Sequence, residues 1–176
     1  MAMSDTSMVR GLPASEPQVR PGLVLTTVAL VQFLVSVDLS IVNVALPQIG
    51  AHLGFSPVGL TWVINAYALA FGGLLLLGGK AADRYGRKRV LQWGLALFGL
   101  ASLAGGLAQA PAALVTARAV QGVGAAALAP AALSLLTSTF PAGPARAKAF
   151  GVWSAVNASG GAFGVVAGGL LTQYAG

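Results

Sequence analysis

Hydrophobic residues come in long blocks along this chain, and polar residues fall mostly between the blocks. A bilayer core takes about 20 apolar residues in helix, and five blocks reach that length. They run over about 21–46, 60–79, 90–108, 112–138 and 149–174. Pro47 predicts the stop of the first block, and Pro141 and Pro144 lie beyond the fourth. The pattern predicts an all-α, polytopic transmembrane helix bundle. Residues 1–20 mix Ser, Asp, Thr, Pro, Glu and Arg without a period, which predicts a disordered cytoplasmic tail. Asp5 and Glu16 interrupt that tail and no early apolar core follows them, so it lacks the form of a cleaved signal peptide. The first block is expected to act as an uncleaved signal anchor.

Composition supports the bilayer as solvent. Only 8% of residues are charged, against about 25% in ordinary soluble domains. So few charges cannot keep a surface of this size in water. A net charge of +6 in a soluble protein would suggest a nucleic-acid partner. Here the basic residues cluster between apolar blocks, which is orientation bias, and no nucleic acid is expected. Residues 80–89 carry Lys80, Arg84, Arg87, Lys88 and Arg89, residues 140–148 carry Arg146 and Lys148, and the tail carries Arg10 and Arg20. Residues 48–59 and 109–111 hold no Lys, Arg, Asp or Glu. Positive residues mark the cytoplasmic side, so the tail and the second and fourth loops are expected inside and the other two outside. The C-terminus would then lie outside. Five spans make an asymmetric set, and the chain is expected to be the front piece of a longer protein.

The inventory for chemistry is small. There is no cysteine, and His52 alone cannot build a zinc site. The acids are Asp5, Glu16, Asp38 and Asp83. No metal site and no catalytic residue is expected, and the chain does not read as an enzyme.

Two charges fall inside the spans, Asp38 in the first and Arg118 in the fourth. Each costs about 2.5 to 3.5 kcal/mol at a helix centre on insertion scales, and a cavity, a mutual pair or a polar ligand must offset that. For Asp38 the functional reading is proton coupling or contact with a cationic substrate. The structural reading is an acid solvated near the outer end of its helix. Asn43, about 500° further around, flanks the same broad face. Arg118 is followed by Gln121 and Gly122 at i+3 and i+4, which share one face. It reads as a charge that tunes a proton site or binds an anionic group, or as a structural donor to carbonyls. An ion pair between Asp38 and Arg118 is a further expectation. In the fifth span Gly160, Gly164 and Gly168 recur every four residues, with Gly161 and Gly169 widening the groove. Such spacing lets another helix approach closely, either as plain packing or as an interface that slides or bends.

Four stretches together resemble the N-terminal part of a major facilitator superfamily transporter, and are most similar to the fourteen-span drug:proton antiporters. Asp38-Leu39-Ser40-Ile41-Val42-Asn43-Val44-Ala45-Leu46-Pro47 resembles the first-helix motif, with Ser40 where Thr is commoner. Gly79 through Arg89 resembles the loop motif between helices 2 and 3, with Ala81 in place of its Leu. Arg118-Ala119-Val120-Gln121-Gly122-Val123-Gly124-Ala125-Ala126 resembles the fourth-helix motif, in which the Arg is linked to proton coupling. Gly164-Val165-Val166-Ala167-Gly168-Gly169 resembles the fifth-helix antiporter motif, with Val165 replacing its Pro.

The resemblance implies the first five helices of a major facilitator fold in a bacterial cell membrane. It implies proton-driven export of drugs, antibiotics or other small amphipathic compounds by alternating access, with the proton gradient as energy source and no cofactor. Asp38, Asn43, Arg118 and Gln121 would line the substrate and proton pathway. Gly79, Asp83, Arg84, Gly86, Arg87 and Lys88 would gate it, with Asp83 as a latch against a helix of the missing C-terminal half. Gly160, Gly164, Gly168 and Gly169 would form the packing or hinge face. The lipid bilayer, a small-molecule substrate and that missing half are the expected partners. The alternative expectation is a truncated, non-transporting membrane fragment, or a half-transporter that needs a partner.

Overall fold

The computed structural model describes residues 20–174, and all regular structure among them is helical. Five helices follow in order: α1 (Pro21–Leu53), α2 (Pro57–Tyr85), α3 (Arg87–Gly106), α4 (Pro111–Thr139) and α5 (Pro144–Tyr174). The expected N-terminal tail lies, apart from Arg20, outside the described residues. Helices α1, α2, α4 and α5 are long and apolar enough to cross a membrane by length and composition. At 29 to 33 residues they reach about 44 to 50 Å, close to the full bilayer with its headgroups.

The expected third span falls on a shorter helix. α3 has 20 residues and opens on Arg87-Lys88-Arg89. Gln92 follows one turn later, so the run free of charged and amide side chains covers residues 93–106.

Helix ends differ from the apolar blocks in three places. α1 does not stop at Pro47 but continues through it to Leu53. Proline forfeits one backbone bond inside a helix, and spanning helices tolerate that when their neighbours compensate. Here Gln48 Nε2 donates to Thr172 O of α5 at 2.6 Å, which ties down the turn around the proline. The true stop is Gly54, left-handed at φ 67°, with its N–H on Gly50 O. Phe55 N also donates to Gly50 O, at 3.0 Å, as in a Schellman-type end.

The second difference is the charged stretch 80–89, which is not a loop. α2 runs to Tyr85, α3 begins at Arg87, and Gly86 alone connects them at φ 93°. Lys, Arg and Ala are good helix formers, so the helices continue beyond the apolar block. A residue with a Cβ would be strained at the one break. Third, α5 begins at Pro144, five residues before its apolar block, which places Arg146 and Lys148 on the helix. Proline suits a first helical position, where its missing N–H goes unused.

The core is built around α4. Half of its most apolar window is buried, against 17% for the other three long helices. It packs between α2 and α3, while α1 packs chiefly against α5. Small residues make this possible. A Cβ on Gly122 would sit 2.5 Å from Tyr67 O of α2, and one on Gly124 would sit 2.8 Å from Phe98 N of α3. Two residues of helix turn about 200°, so these glycines serve opposite faces of α4. Phe98, Leu128, Leu136, Val28 and Val63 are the largest fully buried side chains. Cross-helix contacts run in step for α1 with α5 and for α2 with α4. They run in reverse for α3 with α4, where Gly94 meets Leu128 and Gly105 meets Leu114. α1, α3 and α5 therefore point one way and α2 and α4 the other.

Candidate functional site

A polar centre lies inside the bundle where α1, α2, α3 and α4 converge. Asp38 sits near the midpoint of the 33-residue α1, because that helix outlasts Pro47. Arg118 lies about two turns into α4, and its buried position follows from the face shared with Gln121 and Gly122. Arg118 Nη1 donates to Asp38 Oδ2 at 2.8 Å, and the side chains are 3% and 14% exposed. The same Nη1 donates to Gln121 Oε1 at 2.7 Å. Gln121 Nε2 donates in turn to Asp38 Oδ1 at 2.6 Å. The three side chains close a ring in which each contacts both others.

Outer partners hold this ring in place. Arg118 Nε donates to Val63 O of α2 at 3.2 Å. A helix carbonyl has a second lone pair for such a bond. The guanidinium carbon lies 4.6 Å from the Tyr67 ring centroid, a cation–π contact. Ser102 Oγ of α3 donates to Asp38 Oδ1 at 3.3 Å. No buried side-chain nitrogen or oxygen among the described residues lacks a partner. A cavity of about 710 Å³ between α1 and α3 has Asp38 and Ser102 in its lining, with Leu34, Val37, Ile41 and Leu103 among the apolar walls. The centre thus joins a charge pair, which resists transfer to hydrocarbon, to an opening that Asp38 helps to line.

Not every expected residue joins it. Asn43 is exposed and its Nδ2 donates to Leu39 O of its own helix at 2.8 Å. The 140° that separates it from Asp38 on the helix is enough to place it among other neighbours.

The expected gate residues gather at the Gly86 end of the bundle. Asp83, Arg84 and Lys88 are exposed, and Asp83 has no ion-pair partner among the described residues. Arg87 Nη1 reaches Ser134 O of α4 at 3.4 Å. Gly79 is half-buried, 3.8 Å from Pro130 Cβ as measured to an ideal Cβ. Arg146, which was read only as an orientation charge, caps the same end of α4. Its Nε donates to Phe140 O and its Nη2 to Thr137 O, both at 2.9 Å, where a cation meets the negative end of the helix dipole.

On α5, Gly160, Gly164 and Gly168 are buried and face α1. A Cβ on Gly164 would lie 2.6 Å from Ser40 Cβ and 2.8 Å from Val37 O. Gly169 points elsewhere, with nothing within 4 Å of its Cβ position.

Sequence reasoning missed Tyr67, Ser102 and the Val63 carbonyl, which complete the charged centre. It also missed Gln32 and Asn157. Gln32 Nε2 donates to Asn157 Oδ1 of α5 at 2.7 Å, and Ser36 Oγ donates to the same oxygen. Polar residues in otherwise apolar spans were the available signal for Gln32, Ser36 and Asn157.

The fold and this centre define a polytopic helical membrane protein with a paired charge held inside its bundle. Sequence comparison makes the assignment specific. The sequence profile of the Major Facilitator Superfamily matches residues 28–176. The chain is 54% identical over 150 residues to the puromycin resistance protein of Streptomyces alboniger, an alignment that covers 85% of the chain and 30% of that protein. It is 53% identical over 142 residues to the cephamycin export protein of Amycolatopsis lactamdurans, covering 81% of the chain and 29% of that protein. With the methylenomycin A resistance protein of Streptomyces coelicolor the identity is 40% over 152 residues, or 86% of the chain and 32% of that protein. The chain belongs to the Major Facilitator Superfamily and is an integral membrane protein. It spans about 30% of the length of the curated relatives it matches.

Proposed function

We propose that this chain is the N-terminal part of a proton-coupled exporter of drugs or other small amphipathic compounds, seated in a bacterial cell membrane with residues 1–20 on the cytoplasmic side. The single observation that carries the reading is the Asp38–Arg118–Gln121 ring, a carboxylate held mid-helix against a buried guanidinium. Relatives named for puromycin resistance and cephamycin export supply the substrate class. The rest of such a transporter, in particular a C-terminal half, would face this bundle across a midplane cavity.

The chemistry follows from the ring. With Asp38 ionised, its charge ties α1 to α4 through Arg118. When Asp38 takes up a proton, the ion pair is lost, while Arg118 keeps Gln121 Oε1, Val63 O and the Tyr67 face. Protonation therefore weakens the tie between α1 and α4 without orphaning the arginine. One charge moved through 100 mV is worth about 2.3 kcal/mol, which is enough to bias two arrangements of a bundle. At the Gly86 end, exposed Asp83 lies in the last turn of α2, where its charge opposes the local dipole. The N-terminus of a helix from the absent half would attract it and latch that end shut.

The test is efflux from cells that express the natural gene product carrying this chain. Accumulation of an amphipathic drug should fall relative to cells without it, and an uncoupler should restore accumulation. Equal accumulation in both strains, or efflux that survives the uncoupler, would refute the reading. The fragment reading is favoured by the full set of partners around Arg118, which suits a structural pin. It predicts that the short chain inserts stably and moves nothing.

A further inference from the structure

The α1–α5 seam carries a second polar cluster, separate from the charged centre. Gln32 Nε2 donates to Asn157 Oδ1 at 2.7 Å and to Ser36 Oγ at 3.3 Å, and Ser36 Oγ donates to Asn157 Oδ1. These bonds spend both Gln32 N–H groups, the Ser36 hydroxyl and the Asn157 carbonyl oxygen. What remains is the Asn157 amide NH₂ and the Gln32 Oε1. Asn157 is exposed and Gln32 half-buried, so neither side chain is sealed inside the bundle.

Their depth matters. Gln32 lies 11 residues into α1, roughly 16 Å from its start, and an α1 of about 50 Å centred on a hydrocarbon core of roughly 30 Å puts it about 6 Å inside that core. Unspent amide groups at that depth are costly against lipid and must meet water or a polar partner. They are also off the Asp38 face. Gln32 and Asn43 are 11 residues apart and only about 20° apart around α1, while Asp38 is about 120° from Gln32. The pair therefore belongs to a different side of α1, where the expected pathway residue Asn43 also sits.

We propose that Gln32 and Asn157 form an amide-recognising subsite, which binds a carboxamide group of a transported molecule. This deepens the exporter reading and rests on it. A donor NH₂ beside an acceptor carbonyl is the complement of an amide, whose C=O accepts from Asn157 and whose N–H donates to Gln32. Exchanging O and N on both side chains leaves one donor and one acceptor unspent, so the complementarity does not depend on that assignment. Ser36 is a positioning residue, since its bonds all point inward to the other two.

The test uses two matched amphipathic probes, N-phenylbenzamide and phenyl benzoate, which differ by N–H against ester oxygen. Equilibrium binding is measured on the natural gene product in lipid nanodiscs, with empty nanodiscs as reference. The wild type should prefer the amide by about fivefold, the worth of one net hydrogen bond. Gln32→Leu should bring the ratio to about one, and Asn157→Leu should weaken both probes, whose shared C=O loses its donor. Asn157→Asp guards against misfolding, because it keeps the oxygen that accepts both inner bonds and loses only the free donors. It should weaken both probes, whose C=O loses its donor. No binding of either probe, equal binding in the wild type, a preference that survives Gln32→Leu, or unchanged affinity for both probes in Asn157→Asp would overturn the subsite. Proton-driven flux of the amide in the same preparation separates the two readings. Preference without flux leaves the subsite standing and removes the exporter assignment.

Discussion

Replacing Asp38 with Asn takes away the carboxylate that Arg118 meets at 2.8 Å and leaves the guanidinium charge in place. Removing one partner of a buried pair costs about 3 to 5 kcal/mol. The lower end applies here, because Arg118 keeps Gln121 Oε1 at 2.7 Å, Val63 O at 3.2 Å and the Tyr67 face at 4.6 Å. For a chain of this size about 1 kcal/mol corresponds to 2 to 4 °C, so the melting temperature in detergent should fall by about 6 to 12 °C. Arg118→Gln takes the guanidinium from Asp38 Oδ2, while Oδ1 keeps Gln121 Nε2 and Ser102 Oγ, and should cost a similar amount. The double variant, Asp38→Asn with Arg118→Gln, leaves a neutral ring that can still hydrogen bond. It should lose clearly less than the two single losses combined, with a coupling of about 1.5 to 3 kcal/mol. Circular dichroism melts of all four proteins provide the cycle. Losses that add to within about 0.5 kcal/mol would show that the pair contributes no coupling and that the ring has been misread.

Other expectations are independent of that pair. Gly164→Leu should separate α1 from α5 and prevent a stable fold, because a Cβ there already meets Ser40 and Val37 O. Gly169→Ala should be neutral to within about 0.5 kcal/mol, and thermal melts compare the two. Arg146→Ala should destabilise by about 1 to 3 kcal/mol, since it strips donors from Phe140 O and Thr137 O at the end of α4. Ser56→Ala removes the side-chain oxygen that accepts from Gly59 N at 3.0 Å and should cost about 1 kcal/mol. The absence of native cysteine makes orientation directly measurable. In intact cells an impermeant maleimide should label Gln109→Cys and should reach Arg84→Cys only after lysis.

Much of this architecture was legible as a one-dimensional pattern. Apolar blocks separated by charged stretches or by short stretches with glycine and proline set the number and order of helices, because a long apolar stretch in lipid has few alternatives to helix. Helix ends were less legible. Composition changes at the edge of the hydrocarbon, while the backbone keeps its hydrogen bonds until a residue such as Gly86 or Gly54 breaks them. Local propensity alone marks Pro47 as a stop, and the support of α5 through Gln48 and Thr172 carries the helix past it. Within the site, Asp38, Arg118 and Gln121 stood out because charge and polarity are rare in spans. Tyr67, Val63 O and Ser102 did not, since an aromatic ring, a backbone carbonyl and a lone serine gain meaning only when the fold brings them together. Asn43 shows the converse, as a residue near Asp38 in sequence that the helix turns toward other neighbours. The close-packing glycines of α4 were also hidden. Gly122 and Gly124 serve opposite faces and lack the four-residue spacing that marks α5.

The central claim is that Asp38, paired with Arg118, is the group through which a proton gradient is coupled to export. The most direct measurement compares wild type and Asp38→Asn of the natural gene product in proteoliposomes, each assayed twice. One assay follows drug flux driven by an imposed pH gradient, and the other follows exchange of labelled for unlabelled drug with no gradient. The account predicts that Asp38→Asn loses gradient-driven flux and retains exchange. Gradient-driven flux that persists in Asp38→Asn at the wild-type rate would contradict it.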